Sequence, residues 1–467
     1  MAVAAPAKAP NIDITIAELR ALYGDRVSTA HAVREQHGKD ISFHEAHLPD
    51  AVVFAESAEE VQKIVQICAR LKTPIIAFGT GTSLEGHISA PNGGISVDVS
   101  RMNKVLAVNE EDLDVVVQPG VTRKQLNEYI RATGLFFPID PGADASIGGM
   151  TSTRASGTNA VRYGTMRENV LSLQVVTADG RLMRLGRRAR KSSAGYDLVK
   201  LFVGSEGTLG IITEITLRLY GIPESMASAT CAFDDLSGAV NTVIQTIQSG
   251  IPVARIELMD TYTVDTVNAY SKLTLPSKNL LLLEFHGTEA STKEQAEMVQ
   301  AIAADNGGGD FAWTGQAEER TRMWQARHDA AWAAKAYKPG WGMWATDVCV
   351  PISKLAECIL ETQKDIQANG LYAPIVGHVG DGNFHLTMMV DPDDPTYLKR
   401  AEALNDRMVA RALALGGTCT GEHGVGLGKI KFLYEEHGEA MSLMRSIKKA
   451  LDPDNIMNPG KIIGPIN

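Results

Sequence analysis

Residues 204–210 read Gly204-Ser205-Glu206-Gly207-Thr208-Leu209-Gly210, and side chains of different polarity alternate over the segment that follows, Ile211–Leu219. Such alternation is typical of a β-strand. The glycines and hydroxyl residues before it let a ligand approach the backbone closely, because they carry little or no side chain. Ordinary turns have the same composition. The stretch therefore predicts a glycine-rich turn that leads into a strand, and it indicates a ligand site only if other stretches agree.

Three further stretches in the first half carry the same small residues. Ala77–Gly86 reads Ala-Phe-Gly-Thr-Gly-Thr-Ser-Leu-Glu-Gly, Asp140–Thr151 contains Pro141-Gly142 and Ser146-Ile147-Gly148-Gly149, and Gly157-Thr158-Asn159 follows. The first stretch comes after an apolar run, so its N–H groups are suited to cradle a pyrophosphate. It lacks the third glycine of a dinucleotide-binding fingerprint and the Gly-Lys-Thr of a Walker loop. On the residues alone, these stretches could be structural turns or could bind a phosphate-containing ligand outside those two classes.

In order and content the four stretches resemble the FAD domain of the vanillyl-alcohol-oxidase flavoprotein superfamily, and residues 204–210 are the most specific part. The resemblance covers about His44–Tyr220 and continues through the second half. It implies an α+β fold, in which a two-subdomain FAD-binding domain of the vanillyl-alcohol-oxidase type is joined to an α+β cap domain with an antiparallel sheet. The FAD-binding residues that it implies are Phe78, Gly79, Thr80, Gly81, Thr82, Ser83, Pro141, Gly142, Ser146, Gly149, Gly157, Asn159, Gly207, Gly210, Ile211, Ile212 and Asn458.

The mode of flavin attachment also follows from this resemblance. Members of the superfamily that attach the flavin covalently often carry a histidine in the first glycine-rich loop. Thr82 occupies the comparable place here. The resemblance therefore implies FAD that is bound without a covalent link.

Two motifs in the second half supply imidazole and carboxylate groups. Gly377–His385 reads Gly-His-Val-Gly-Asp-Gly-Asn-Phe-His, and Gly421–Gly426 reads Gly-Glu-His-Gly-Val-Gly. Asp381-Gly382 is a hairpin-turn signal, and a hairpin can bring His378 and His385 together across its strands. Two imidazoles and one carboxylate suit a divalent metal with open positions for a substrate. The same set could hold non-haem Fe(II), but the flavin loops argue against oxygenase chemistry.

The second half resembles the C-terminal domain of FAD-linked 2-hydroxy acid dehydrogenases. This group includes cytochrome-linked D-lactate dehydrogenases, glycolate oxidase subunits and D-2-hydroxyglutarate dehydrogenases. The matching residues are His378, Asn383, His385, Glu422, His423 and the terminal Asn458–Lys461. The resemblance implies that His378, His385 and Glu422 hold Zn²⁺ or Mn²⁺. It also implies that His423 is the general base, and we place Asn383 with the catalytic residues.

These residue types suit the oxidation of an alcohol to a ketone, which removes an O–H proton and a C–H hydride. A metal lowers the pKa of a bound hydroxyl, and a histidine is well matched to take the proton. The hydride goes to the flavin. Arg327 is the candidate for the substrate carboxylate, because a guanidinium pairs bidentately with it. On the residues alone, Arg327 could instead form a surface ion pair with Glu318.

The number of carboxylates that the substrate can carry depends on further cations in the protein. A dicarboxylate such as 2-hydroxyglutarate would need a second buried cation, and Lys335 and Lys338 follow Arg327 in the sequence, whereas Trp344–Asp347 offers none. The pattern favours a small monocarboxylate, and oxidation of D-lactate to pyruvate is the leading prediction. D-2-hydroxyglutarate and glycolate are the alternatives. The preference for the D isomer comes from the resemblance alone.

Two hypotheses from other classes compete with this one. A non-redox, flavin-dependent ether-lipid synthase would need a pocket for a long acyl chain. A non-catalytic subunit of a larger oxidase would keep the fold without the site. The presence of all four residues His378, His385, Glu422 and His423 argues against the second hypothesis.

Alternating strand and helix patterns divide the chain into three predicted segments. Residues 1–222 form an N-terminal helical arm, placed at about Ile12–His44, and the FAD-binding domain. Residues 223–420 form the cap or substrate domain, and residues 421–467 form a helical segment that returns to the FAD domain. Within the first segment, the apolar spacing of Ala58–Leu71 predicts an amphipathic helix.

Composition limits the partners and the location. The chain has 467 residues and a net charge of −10, without a basic stripe, which excludes nucleic acid as a partner. Nothing approaches the ~20 apolar residues of a membrane span, and Met1–Pro10 lacks the apolar core of a signal peptide. The five cysteines have irregular spacing that fits reduced thiols. We predict a cytoplasmic protein with at most a peripheral association with the inner membrane.

The route of the electrons is also constrained by motifs. The sequence carries no haem-attachment, iron–sulfur or NAD motif. We therefore predict an external electron acceptor, which is cytochrome c, a quinone or an electron-transfer flavoprotein. A homodimer is the default oligomer.

Overall fold

The computed structural model describes residues 11–465 of the chain, which form two compact units. The first unit comprises residues 11–156, Gly164–Gly221 and residues 422–465. The second unit comprises Gly157–Tyr163 and Ile222–Gly421. The short segment 157–163 therefore belongs to the second unit, although the sequence analysis assigned it to the FAD-binding domain.

The N-terminal arm of the first unit is divided into two helices. They cover Ile12–Tyr23 and His31–Gln36, and the strand Val27–Ser28 lies between them. Gly24 ends the first helix with a φ of 54°, a conformation that glycine adopts without steric cost. The stretch Met1–Pro10, for which the sequence predicts no signal peptide, lies outside the described residues.

A four-stranded sheet follows the arm. Its strands lie in the order Val27–Ser28, Ala51–Phe54, Ile95–Asp98 and Ile75–Phe78. The last three are parallel, and the helix Ala58–Leu71, which has the predicted bounds, connects two of them. Ser57 caps this helix by accepting the N–H of Glu60. The strand that ends at Phe78 leads directly into the glycine-rich loop.

A five-stranded antiparallel sheet contains the strand that follows the glycine-rich motif at residues 204–210. Its strands lie in the order Val105–Asn109, Asp114–Val117, Gly210–Arg218, Val170–Thr177 and Leu182–Gly186. The predicted strand after residue 210 is therefore central in this sheet. Most of its side chains are buried on both faces, because core residues cover the sheet on either side.

The other elements of the first unit connect these sheets. The remaining α-helices are Arg123–Ile130, Ile147–Thr153, Met166–Asn169, Leu198–Phe202, Ile430–His437 and Ala440–Leu451. Two 3-10 helices, Gly24–Arg26 and Arg131–Thr133, and a pair of short strands, Leu135–Phe136 and Tyr220–Gly221, complete the unit. The chain then returns to the first sheet, where the N–H of Asn458 donates to the carbonyl of Ile75 at 2.8 Å.

The second unit is built on an eight-stranded antiparallel sheet. Seven strands lie in the order Gly308–Thr314, Ser225–Phe233, Asn279–Gly287, Val253–Met259, Ile375–Gly377, Asn383–Val390 and Gly342–Ala345. The eighth strand, Val348–Cys349, pairs with Asn383–Val390.

Helices accompany this sheet. The α-helices of the second unit are Ala160–Tyr163, Leu236–Gln248, Thr261–Ser271, Glu289–Asp305, Ala317–Tyr337, Leu355–Asn369 and Pro395–Ala414, with 3-10 helices at Ile352–Lys354 and Val379–Asp381. The long helix Ala317–Tyr337 buries Trp324 and a row of alanines against the sheet core. Between residues 11 and 465, none of the helices combines the length and apolar character that a membrane span requires.

One buried ion pair of the first unit yields a stability prediction. Lys448 donates to Asp452 and to the carbonyls of Thr208 at 2.8 Å and Met457 at 2.7 Å, and both charged side chains are buried. We expect Asp452→Ala to lower the free energy of unfolding by about 3–5 kcal/mol, because it leaves a buried ammonium without its counter-ion. Urea denaturation of the purified protein measures this change.

The neighbouring Asp454 is the matched control. It forms an exposed pair with Lys72 at 2.9 Å, and such pairs contribute at most about 1 kcal/mol. Equal effects of Asp454→Ala and Asp452→Ala would contradict the importance of burial.

Candidate active site

The histidine motif of the second unit forms the predicted hairpin. Strands Ile375–Gly377 and Asn383–Val390 pair antiparallel. Gly382 turns the chain at a φ of 79°, and a Cβ at this position would lie 2.0 Å from a carbonyl oxygen of a neighbouring segment. Only glycine fits there. The turn brings the rings of His378 and His385 to 5.4 Å between centroids, and both side chains are buried.

Hydrogen bonds orient both imidazoles. Nδ1 of His378 lies 2.7 Å from Oε1 of Glu257, and Nδ1 of His385 lies 2.9 Å from the carbonyl oxygen of Thr346. A neutral imidazole that donates from Nδ1 carries its lone pair on Nε2, so these bonds set both rings to use Nε2 as a ligand atom. His378, His385 and Glu422 each offer one ligand atom, and these atoms lie within 4.8 Å of one another.

Glu257 also binds Arg327, the candidate for the substrate carboxylate. Nε of Arg327 donates to Oε2 of Glu257 at 2.7 Å. Burial alone would raise the pKa of Glu257, but the charges and hydrogen bonds of His378 and Arg327 hold it below its ordinary value. Arg327 therefore has a buried, ionised partner on the sheet, where the sequence had allowed a surface pair with Glu318.

Asn383 lies two residues before His385 and is buried. Its amide donates to Oδ1 of Asp347 at 2.6 Å and to the carbonyl of Val348 at 2.7 Å. Gly421 passes so close that a Cβ there would lie 2.3 Å from the Asn383 amide nitrogen. Both N–H groups of the amide are thus used inside the protein. The geometry supports Asn383 as a positioning residue for the chain that leads to Glu422.

Two predicted FAD-binding stretches meet in the first unit. The N–H of Ser146 donates to Oγ1 of Thr80 at 3.2 Å. A Cβ at Gly79 would lie 2.3 Å from Oγ of Ser146, and one at Gly81 would lie 2.9 Å from the ring of Phe78. Glycine is therefore required at both positions of the predicted pyrophosphate cradle, because the neighbouring side chains leave no room for a Cβ.

Glu206, within the motif at residues 204–210, binds two later segments of the first unit. Its buried carboxylate accepts the N–H groups of Val425 at 2.7 Å and Gly426 at 2.8 Å. Its carbonyl accepts the amide of Asn458 at 2.7 Å, and Gly207 packs against the same side chain. Asn458, predicted to bind FAD, is therefore held directly against the glycine motif.

Near Glu206 the sequence analysis missed His87 and named Lys461 only as part of the terminal match. Nε2 of buried His87 lies 3.3 Å from Oε1 of Glu206, and buried Lys461 donates to Asn458. Burial alone would lower the pKa of His87, but Glu206 raises it above its ordinary value. Burial lowers the pKa of Lys461 to about 8. Glu206 itself was a signal for such a charged partner, because a simple turn does not require a glutamate between Gly204 and Gly207.

His423, the predicted base, faces a carboxylate that the sequence analysis also missed. Its Nδ1 lies 4.0 Å from Oε1 of Glu85, and Nζ of Lys429 lies 3.3 Å from the same oxygen. His44 lies 3.3 Å from the other oxygen of Glu85. Glu85 belongs to the glycine-rich stretch Ala77–Gly86, so one loop supplies both the cradle and the carboxylate beside His423.

The remaining predicted FAD-binding residues divide between the two units. Those of the first unit are Thr82 and Ser83 after the cradle, Pro141 and Gly142 before Ser146, Gly149 in a short helix, and Gly210, Ile211 and Ile212 in the central strand. Gly157 and Asn159 belong to the second unit, where Nε of Arg255 donates to Oδ1 of Asn159 at 3.0 Å.

Two family models match the chain. The FAD binding domain covers residues 49–186, and the C-terminal domain of FAD linked oxidases covers residues 222–462. The second match alone spans more than half of the 467 residues. The chain belongs to the FAD-linked oxidase family.

Individual relatives agree with the assignment of this chain to the FAD-linked oxidase family. The chain is 52% identical to the "Probable D-lactate dehydrogenase, mitochondrial" of Danio rerio, over 98% of this chain and 93% of that protein. It is 49% identical to the "D-lactate dehydrogenase (cytochrome), mitochondrial" of Arabidopsis thaliana, over 96% of this chain and 80% of that protein.

A solved structure of p-cresol methylhydroxylase with substrate bound shares the fold, with a TM-score of 0.80 at 20% identity, over 98% of this chain and 99% of that one. The predicted α+β fold of the vanillyl-alcohol-oxidase type is confirmed. Membership of the family also confirms that the FAD-linked oxidase is a flavoprotein oxidoreductase that uses FAD.

The Glu206–His87 pair predicts a dependence of stability on pH. The pKa of Glu206 is lowered from 4.5, so its contribution is present above pH 4.5 and is lost as the pH falls through the lower folded-state value. The pKa of His87 is raised from 6.5, so its contribution is present below pH 6.5 and is lost as the pH rises through the higher value. We expect His87→Gln to lower Tm most between pH 4.5 and 6.5.

Thermal unfolding of the wild type and His87→Gln across pH 4–9 measures this difference, with exposed His31→Gln as the control. A Tm difference that grows as the pH rises above 6.5 would contradict the assignment.

Proposed function

We propose that this FAD-linked oxidase oxidises D-lactate to pyruvate. One structural observation carries the proposal: a buried hairpin presents two imidazoles, each oriented through Nδ1, beside an arginine that is paired with a buried carboxylate. This set suits a substrate that has a hydroxyl next to a carboxylate. The printed names of the two relatives above, which match nearly the whole chain, support D-lactate as that substrate.

The donor set fits a divalent metal. His378 and His385 offer Nε2, Glu422 offers a carboxylate oxygen, and the three ligand atoms are close enough for one ion. We propose that these residues hold Zn²⁺ or Mn²⁺, which would acidify the substrate hydroxyl when bound. Glu257 would then act behind His378, as carboxylates often do behind histidine ligands.

We propose that His423 takes the hydroxyl proton of the substrate. Its Nδ1 lies 4.0 Å from Oε1 of Glu85. The imidazolium that results would be stabilised by the Glu85 carboxylate. FAD, when bound, would supply the acceptor for the C2 hydride of D-lactate and its two electrons. Loss of one proton and one hydride converts D-lactate to pyruvate.

Arg327 would bind the substrate carboxylate through its terminal nitrogens, because its Nε donates to Glu257. Glu257 balances part of the guanidinium charge. A substrate with one carboxylate therefore suits the pair better than a dicarboxylate, which would bring a second negative charge. This supports D-lactate over 2-hydroxyglutarate.

The electron acceptor and the location are also proposals. The printed name of the Arabidopsis relative includes a cytochrome, and we propose cytochrome c as the external acceptor ahead of a quinone or an electron-transfer flavoprotein. Both relatives are named as mitochondrial, so the cytoplasmic location predicted from the sequence stays a prediction. The homodimer also stays a prediction.

Anaerobic absorbance of the purified holoprotein tests the function. We expect D-lactate to bleach the flavin band, while L-lactate, glycolate and D-2-hydroxyglutarate bleach it at least about tenfold more slowly, a difference of roughly 1.4 kcal/mol in activation free energy. Bleaching by D-2-hydroxyglutarate that is faster than bleaching by D-lactate would overturn the substrate. A flavin band that no hydroxy acid bleaches would favour the non-redox synthase.

The base is tested on the same holoprotein. We expect His423→Ala to retain FAD and to reduce it at least about 100-fold more slowly, because proton removal is lost. His437→Ala, which alters a partly exposed histidine of the same unit, is the control. Unchanged bleaching by His423→Ala would exclude it as the base.

Metal binding is tested through Glu257. We expect Glu257→Gln to weaken Zn²⁺ binding by about 10- to 100-fold, because His378 loses the carboxylate that orients it. Chelator competition measures the affinity. Glu361→Gln, which alters an exposed glutamate of the same unit, should have no effect. Unchanged affinity in Glu257→Gln would count against the metal set.

A further inference from the structure

A second buried chain of polar side chains lies in the second unit, apart from the Glu257 network. The hydroxyl of Tyr163 is 2.7 Å from Nδ1 of His286, and Nε2 of His286 is 2.8 Å from Oε1 of Glu284. All three side chains are buried. We call Tyr163, His286 and Glu284 the Tyr163 chain.

The Glu284 end of the chain is anchored on the sheet and on the long helix. Ser228 donates to Oε2 of Glu284 at 3.2 Å, and the indole N–H of Trp324 donates to Ser228 at 3.0 Å. Nε of Arg255 lies 3.5 Å from Oε1 of Glu284. Burial would raise the pKa of Glu284, but His286 and Arg255 hold it below its ordinary value, so the carboxylate is ionised.

The ionised carboxylate fixes the direction of the bonds. It can only accept, so Nε2 of His286 carries a proton and donates to Glu284. Nδ1 of the same ring is hydrogen-bonded to the Tyr163 hydroxyl. The order hydroxyl, imidazole, carboxylate holds the Tyr163 side chain in a single orientation.

Tyr163 ends the segment 157–163, which contains the predicted FAD-binding residues Gly157 and Asn159. The same segment is tied to the second unit at two more points. Arg255 donates to Asn159 at 3.0 Å, and Val161 packs so closely against Gly380 that a Cβ there would lie 2.8 Å from it. Gly380 lies in the turn of the histidine hairpin. The segment is therefore held on the sheet that carries the candidate substrate residues.

A buried charged network of this kind is a costly way to hold a short segment, because apolar packing would stabilise the fold at least as well. What it adds is a single, directed placement. We propose that the Tyr163 chain is a positioning device for the flavin-binding segment 157–163. On this proposal Tyr163, His286 and Glu284 set the affinity for FAD, although they lie outside the glycine-rich loops of the first unit. The inference rests on FAD binding and not on D-lactate as the substrate.

The test uses FAD titration of the full-length apoprotein, followed by flavin fluorescence. We expect Tyr163→Phe to raise the Kd for FAD by about tenfold, because removing one partner of a buried hydrogen bond has an effect of this order. Glu284→Gln keeps the shape of the side chain and should act in the same direction. The double variant should bind FAD about as weakly as the weaker single variant, because both act through one chain. Tyr196→Phe is the matched control, since Tyr196 is 95% exposed.

Hydrogen exchange of the apoprotein gives a second readout that needs neither flavin nor substrate. We expect the amides of residues 157–163 to exchange about tenfold faster in Tyr163→Phe, while the strands of the sheet keep their wild-type rates. A Kd within twofold of wild type in both single variants would overturn the proposal. Uniformly faster exchange across the second unit would also overturn it, because the chain would then only stabilise the fold. Failure of D-lactate to bleach the wild-type flavin would affect the proposed function and leave these two readouts intact.

Discussion

The buried carboxylate of Glu206 is the interaction on which the first unit depends. It accepts two backbone N–H groups from Val425 and Gly426, and its own carbonyl accepts the amide of Asn458. A carboxylate removed from water is costly unless it is paired and hydrogen-bonded. The three segments therefore stay together, since any one that leaves exposes an unsatisfied charge or amide. This holds the loop after His423 and the terminal segment against the glycine-rich turn.

The second unit uses the same physical device twice. Glu257 orients His378, and Glu284 orients His286. In each pair the carboxylate is buried and ionised, and it decides which ring nitrogen carries the proton. The low dielectric of the interior strengthens these bonds. The strands that supply both carboxylates, Val253–Met259 and Asn279–Gly287, pair with each other, so a single sheet holds both networks in register.

Local patterns in the sequence predicted the regular elements well. The apolar spacing places the helix Ala58–Leu71 at the bounds that the structure has. The turn signal at Asp381-Gly382 predicts the histidine hairpin, because glycine tolerates the positive φ that this turn requires. The structure groups the segment 157–163 with the second unit, which local spacing does not show because its partners Arg255 and His286 lie about a hundred residues away.

The sequence by itself determined the chemistry available to this protein: glycine-rich loops that admit a flavin, and histidines and a carboxylate that suit a metal and a base. These features depend on residue type and short spacing, which the chain carries before it folds. Only the tertiary structure decided the partners. Glu85 faces His423, Glu257 joins His378 to Arg327, and Glu206 gathers distant segments, all through contacts between residues far apart in the chain. The physical reason is that a buried charge is costly unless it is paired. Which partner lies near enough to pair with it is decided only when the chain packs.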